Sequence, residues 1–396
     1  MMRHPLVLTA AIAATSLLLH PSVAPDVTMT PVADATELAA PVAPDLLAAP
    51  VTPPIAPVAP APAPAPAPPP EEKGVLPFGS GMWIWLPDQV EGGDVAAIVA
   101  KAQAYGLTHL YVKTGLSWEG MINRDFITAL LPAAHAVGLR VYGWDFPAFI
   151  DVNVDLTRAV QAIQYMTPDG QRLDGFSPDI ETESEGVLLS AEAASAYANG
   201  LRANVGPRYP LIATVPRPSD YTIAFYPYAE VIGPMDAVAP MVYWLNRDPA
   251  NDVAQALADL APLGKPVLPI GQAYDGGPEG GPKGPPPKEA LVRFMNTALD
   301  KGALGVSFWV WNQATPEHWA AIDEAHAWEL PTGDPSSPAA VRYLQRVIST
   351  FGRPVAQDGV LGAQTRSALA AVQQSLGLPG TGKLDRPTIS SLVGPR

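Results

Sequence analysis

The run Leu173-Asp174-Gly175-Phe176-Ser177-Pro178-Asp179-Ile180-Glu181 holds the side chains best spaced for chemistry. A strand alternates its side chains between two faces, so Ser177, Asp179 and Glu181 fall on one of them. The two carboxylates then stand about 6–7 Å apart along the backbone, close enough for each to disfavour ionisation of the other. Cleavage of a glycosidic bond needs such a pair. One carboxylic acid keeps its proton for the leaving oxygen while a charged neighbour faces the developing cation. An acidic rim residue paired with Lys113 or an arginine is the competing reading. Pro178 has no N–H to give, so a local bulge that slips the alternation by one residue is expected there.

Other chemistries fail on inventory. The chain has no cysteine, which removes disulfides, thiolate metal sites and cysteine nucleophiles. His4 and His20 sit in the N-terminal run, and His109, His135, His318 and His326 lack metal-ligand spacing, so neither a metal nor a cofactor is expected. No G-x-S-x-G elbow, phosphate loop or dinucleotide fingerprint is present. After the seventh apolar segment only Gln272 and, further out, Asp275 could act.

The elements that must position the pair repeat one unit from Gly81 onward: an apolar strand, a loop, then an amphipathic helix. Strands are predicted at 82–85, 109–113, 140–144, 175–180, 211–215, 237–243, 267–270 and 305–309. Helices between them include 94–105, 125–137, 191–204 and 288–301. Eight such units in about 250 residues predict an α/β fold, a closed (β/α)8 TIM barrel over residues 79–330. In that fold the C-terminal strand ends and the loops after them build the site. Trp83, Trp85, Tyr111, Trp144, Tyr243, Trp244, Tyr274, Trp309 and Trp311 would ring the mouth with flat faces suited to pyranose rings, although any one of them alone reads more readily as core. The Gly/Pro-rich loop 275–287 is either a wall of that cleft or a simple insertion.

Two resemblances follow from these residues. Asp174, Gly175, Asp179 and Glu181 resemble the D-G-x-D-x-D-x-E signature of family 18 glycoside hydrolases, with Ser177 in place of the middle Asp. Ala239-Pro240-Met241-Val242-Tyr243 is similar to that family's sixth strand, with Trp244 where an Asp would stand, and Gly305-Val306-Ser307-Phe308-Trp309 to its eighth. The resemblance implies Glu181 as general acid/base, Asp179 orienting the substrate N-acetyl group, Tyr243 bonding that group and Trp309 flooring the sugar. Residues 106–114 and 138–144 are similar to the second and third strands of family 25 lysozymes, which also carry Asp-x-Glu on the fourth strand. Their first-strand Asp has no counterpart in Met82-Trp83-Ile84-Trp85. Both resemblances imply the same catalytic pair, Asp179 and Glu181. Asp174, Ser177, Tyr111, Trp144, Trp244, Tyr274 and Trp309 are then the expected substrate contacts.

The flanks speak to location. Arg3 and His4, an apolar run from Leu6 to Leu19 and a small-residue ending at Ala24 read as a secretory signal over residues 1–24, with a retained anchor as the alternative; no membrane partner is expected once the signal is removed. Residues 25–78 are an Ala/Pro-rich linker, disordered and extended, since proline fixes φ and removes donors. Residues 331–396 form a separate small three-helix C-terminal domain, with helices predicted at 339–351, 364–376 and 386–392. Asp358-Gly359-Val360-Leu361-Gly362-Ala363-Gln364-Thr365 resembles the D-G-x-x-G-x-x-T turn of the three-helix peptidoglycan-binding domain, and Thr381 to Asp385 repeats it in shortened form. By that resemblance Asp caps a helix and Gly takes positive φ. The chain carries −14, but this tail holds seven basic and three acidic side chains, among them Arg342, Arg346 and Arg366, which could face wall carboxylates or simply solvent. An acidic body excludes a nucleic-acid groove. The expectation is a secreted, cell-wall glycosidase with a polysaccharide or peptidoglycan partner. The alternatives are a non-catalytic sugar-binding barrel and a surface spacer.

Overall fold

In the computed structural model, residues 74–324, 328 and 330–393 are described; the expected signal and nearly all of the linker lie outside them. Among the described residues eight strands are present: β1 (Gly79–Ile84), β2 (His109–Leu116), β3 (Arg140–Phe146), β4 (Gly175–Pro178), β5 (Ile212–Pro216), β6 (Ala237–Val242), β7 (Ile270–Gln272) and β8 (Gly305–Trp309). Twelve helices accompany them: α1 (Val95–Ala104), α2 (Arg124–Ala136), α3 (Val152–Gln164), α4 (Ala191–Val205), α5 (Asp220–Ile223), α6 (Tyr228–Ile232), α7 (Pro249–Leu260), α8 (Lys288–Asp300), α9 (Pro316–Glu324), α10 (Pro338–Thr350), α11 (Ala363–Ser375) and α12 (Arg386–Val393).

All strand pairs are parallel, in the order β4-β3-β2-β1-β8-β7-β6-β5. Bridges Phe176 to Leu211 and Asp179 to Thr214 join β4 to β5 and close the sheet into a barrel. Buried strands covered by helices explain the near-continuous apolar runs in the sequence. The β3–β4 register runs unbroken from Tyr142/Gly175 to Asp145/Pro178, so the bulge expected at Pro178 is not there. The ladder resumes after the proline, Asp179 N–H donating to Asp145 O at 2.8 Å, and the register shift falls instead in β2 between Lys113 and Gly115. The seventh strand starts later than the sequence predicted, at Ile270, with Val267 making a lone bridge to Val238. Pro266 and Pro269 have no N–H with which to extend it.

Aromatic rings fill the barrel. Trp83 stacks on Tyr111 at 4.2 Å between centroids and meets Trp144 edge-on at 5.6 Å; Tyr142 and His109 flank Tyr111 below. His109 needs Gly81 opposite it, since a β-carbon there would lie 2.1 Å from its Nε2. Burial drives the His109 imidazole down to about 3, so it packs as a neutral ring.

The C-terminal helices α10–α12 carry a duplicated device. Gln345 accepts from Gly359 N–H and donates to Asp358, Val360 O and Thr365, while Gln373 accepts from Gly382 N–H and donates to Thr381, Lys383 O and Thr388. Gly359 and Gly382 have φ of 76° and 64°, which only glycine adopts freely. Asp385 caps α12 through Thr388 N–H at 2.9 Å, but Asp358 caps no helix and instead closes its turn on Val360 N–H. These helices are not a free-standing bead. Tyr343 Oη accepts from Gly79 N–H at the start of β1, Arg346 donates to Leu299 O at the end of α8, and Phe351 lies near Phe78. Arg346 is therefore buried, Arg366 is held by a two-pronged ion pair to Asp334 (2.9 and 2.7 Å), and of the three arginines singled out in the sequence only Arg342 is exposed and outside these contacts.

Candidate active site

The backbone around the acidic pair is pinned from three sides. Asp179 N–H is held by β3, Ile180 N–H donates to Thr214 O at 3.0 Å, and Tyr226 Oη donates to Ile180 O at 2.8 Å. Asp179 and Glu181 thus sit where β4 runs out into its loop, at the C-terminal end of the barrel. Asp179 is 8% exposed, and its Oδ1 has no hydrogen-bond partner. Glu181, two residues further out, is half-buried. Beneath them Ser177 is fully buried, its hydroxyl donating to Ile212 O (3.0 Å) and lying 2.7 Å from Thr214 Oγ1.

The two acids differ in proton affinity. Burial pushes the Asp179 carboxyl up to about 7, with Lys113 pulling down and Asp145 and Glu185 pushing further up. Burial, then the neighbouring charges of Asp179, Glu185 and Glu279, holds Glu181 well above the usual carboxylate range. Among the described residues Lys113 is the one cation bearing on the pair, and it bears on Asp179. Asp179 therefore ionises first and Glu181 keeps its proton. No ion pair joins Lys113 to Asp179. The Lys113 ammonium lies over the Trp144 ring at 5.2 Å and Trp85 at 6.0 Å, and burial lowers its proton affinity against the pull of Asp179.

Half-buried aromatic faces flank the pair. Tyr243 stands edge-on to Tyr274 at 5.3 Å; burial first, then Tyr274, Asp179 and Glu181, hold its hydroxyl protonated. Trp309, half-buried, meets Trp85 at 6.0 Å and Trp144 at 5.4 Å. Tyr274 is buried and donates to Glu279 Oε2 at 2.6 Å, which brings the 275–287 loop to this end of the barrel. Trp144 is buried, donating Nε1–H to Ile84 O, and Tyr111 is buried below it.

Two expected contacts lie elsewhere. Asp174 precedes β4, at the opposite end of the strand from Glu181, where its Oδ2 accepts from Val141 N–H (2.7 Å) and pairs with His135 Nε2 (2.9 Å). Trp244 follows Tyr243 and so faces outward, packing on Phe294 of α8 at 5.4 Å. Strand alternation, which put Tyr243 inside, puts its neighbour outside.

Several participants escaped the sequence reading. Asp145 turns from β3 toward α3, where Arg158 donates two hydrogen bonds to its Oδ2 (3.0 and 2.8 Å) and one to Asp155 (2.6 Å), a buried triad one strand from Asp179. Burial raises Asp145 to about 6 despite Arg158. Glu185, Glu279 and Tyr226 come from loops with no motif. Only an aspartate ending a predicted barrel strand, as in Trp144-Asp145-Phe146, could have flagged the first of them. Among the described residues no group of three or more His, Asp or Glu side chains is arranged to hold a metal ion.

Residues 337–392 match the family model described as "Putative peptidoglycan binding domain". No curated protein matches the chain. Solved structures similar to it include the catalytic domain of a hyperthermophilic chitinase from Pyrococcus furiosus (13% identity, TM-score 0.46, covering 63% of this chain and 95% of that one). An endo-1,4-β-mannanase from Rhizomucor miehei is similar at 9% identity and a TM-score of 0.45, covering 59% and 86%. A chitinase from Chromobacterium violaceum is similar at 13% and 0.43, covering 62% and 98%.

Proposed function

We propose that this chain is a secreted, cell-wall-targeted glycosidase that hydrolyses an N-acetylhexosamine polymer, the peptidoglycan glycan being the expected one. The observation that carries this reading is geometric: Asp179 and Glu181 leave the C-terminal end of β4, where Asp179 Oδ1 is buried without a hydrogen-bond partner and the charges of both acids reach the Tyr243 hydroxyl; the raised proton affinity of both carboxyls, with Lys113 favouring charge on Asp179, agrees with it. In the mechanism, Glu181 gives its proton to the glycosidic oxygen as the bond to the anomeric carbon breaks. The ionised Asp179 orients the acetamido group of the sugar, whose carbonyl oxygen closes on the anomeric carbon from the opposite side, and Tyr243 hydrogen-bonds that group. Water then opens the cyclic intermediate with Glu181, now a base, taking its proton, and configuration is retained. Trp309 offers a ring for the sugar to rest on. The peptidoglycan-binding family match of residues 337–392 supports association with the cell wall.

One observation favours a second reading, a barrel that binds sugar without cleaving it: position 177 holds a hydroxyl committed to β5, not a second carboxylate that could share the proton of Asp179. Incubation with purified cell walls separates the two. New reducing ends that vanish in Glu181→Gln, a fall of about 10²–10⁴-fold, support catalysis; retention of glycan by both proteins with no new ends supports the binding reading.

A further inference from the structure

Beyond the mouth, the rim of the barrel carries a surface that the acidic pair does not explain. Trp118 follows β2 and is 67% exposed, yet the turn that presents it is tied down. Ser117 N–H donates to Phe146 O (3.1 Å), Glu119 N–H to Leu116 O (3.0 Å) and Ile122 N–H to Thr114 O (2.8 Å). Ser117 Oγ donates to Asp155 Oδ1 (2.5 Å) and accepts from Ala148 N–H (2.5 Å). A large apolar ring held toward solvent on a hydrogen-bonded turn has already met much of the ordering cost of binding.

Beside this ring lies a hollow of about 430 Å³ between the turn and the first turns of α3. Its far wall presents the exposed side chains of Asn153, Thr157 and Gln161, and its floor is Arg158, whose guanidinium is committed to Asp145 and Asp155. The volume falls in the range of about 300–1,000 Å³ typical of small-molecule sites. One flat aromatic face opposite amide and hydroxyl groups matches a pyranose ring, apolar on its axial C–H face and polar at its edge. An anionic occupant fits less well, because Arg158, the cation lining the hollow, is already held by Asp145 and Asp155 and the exposed Glu119 carboxylate also lines it. The hollow is also tied to the acidic pair, since its Arg158 holds Asp145, whose backbone oxygen in turn holds Asp179 N–H.

We infer that Trp118, with Asn153, Thr157 and Gln161, forms an outer subsite for a neutral sugar ring of the same polymer, reached only by chains long enough to extend from the mouth over the β2 and β3 loops. This deepens the glycosidase reading and rests on it. The test uses the full chain carrying Glu181→Gln, so that ligand survives, titrated by calorimetry with peptide-free N-acetylglucosamine oligomers, a disaccharide and a long oligomer. Adding Trp118→Ala is expected to weaken the long oligomer about tenfold and leave the disaccharide unchanged, and Trp118→Tyr, which keeps a flat ring, to restore most of the loss. The C-terminal helices are the same in every protein compared, so their contribution cancels. If both ligands weaken alike, or neither does, the outer subsite is wrong while the glycosidase reading stands. If the long oligomer is unaffected but a free stem peptide binds in a Trp118-dependent way, the occupant is peptide and the inference is overturned. If the Glu181→Gln protein binds no oligomer at all, the glycosidase reading fails and this inference falls with it.

Discussion

Replacing Lys113 by methionine tests the electrostatics of the pair most directly. The methionine keeps an apolar stem against Trp85 and Trp144 and deletes the single positive charge acting on Asp179. An opposite charge within a few ångströms lowers a carboxylate by about 1–3 pH units. Lys113 makes no ion pair with Asp179, so the lower end of that range applies. The Asp179 carboxyl, already up to about 7 through burial, would rise by at least about one unit. At pH 7 roughly half of the Asp179 side chains are ionised in the native protein and about one in eleven in the variant, a loss of about fivefold in the active form. The assay is the initial rate of reducing-end release from cell walls across the neutral range. The acidic limb of the rate profile should move upward by about one pH unit, with partial recovery on its alkaline side, where Asp179 ionises while Glu181 still holds its proton. An acidic limb that stays put, or moves down, refutes the claim that Lys113 sets the order of ionisation.

Two further outcomes follow from the same charges. Asp179 is raised from 3.8 to about 7, so its neutral form favours the folded state: that contribution is fully present below about 3.8 and is lost as pH rises through about 7. Asp179→Asn, permanently neutral, should therefore melt higher than the native protein at pH 8, by up to about 4 kcal/mol in stability, and close to it at pH 4. Arg158→Met should cost about 3–5 kcal/mol in denaturant unfolding at pH 7, because Asp145 and Asp155 are left buried without their cation, and part of that cost should return as the pH falls and Asp145 takes up a proton. A loss under about 1 kcal/mol, or one independent of pH, would show that the triad is solvated.

Periodicity made the barrel legible because each strand and helix of an eightfold repeat must display its own burial pattern locally. The strand 305–309 was read to the residue, and so was the start of β4. Pro178 misled the local reading. A missing N–H need not create a bulge when the flanking residues Asp179 and Ile180 donate to different neighbours, β3 on one side and β5 on the other. The signature around Asp179 and Glu181 flagged the pair, but it also carried along Asp174, which strand direction sends to the other end of the barrel. Trp244 was read as a sugar contact from its place after Tyr243, although a single step along a strand reverses the face.

The sequence by itself determined the order of elements, the spacing of two carboxylates just after the fourth strand and the small C-terminal helical segment with its Asp358-Gly359 and Thr381-Gly382 turns, because these depend on residues a few positions apart. Only the tertiary structure decided which acid holds its proton, which aromatic rings reach solvent and which arginines are spent. Those properties depend on desolvation and on charges brought in from distant strands: Lys113 and Asp145 beside Asp179, Glu279 from the seventh loop, and Leu299 against Arg346. Burial and Coulomb energy act through space, and no spacing along the chain encodes them.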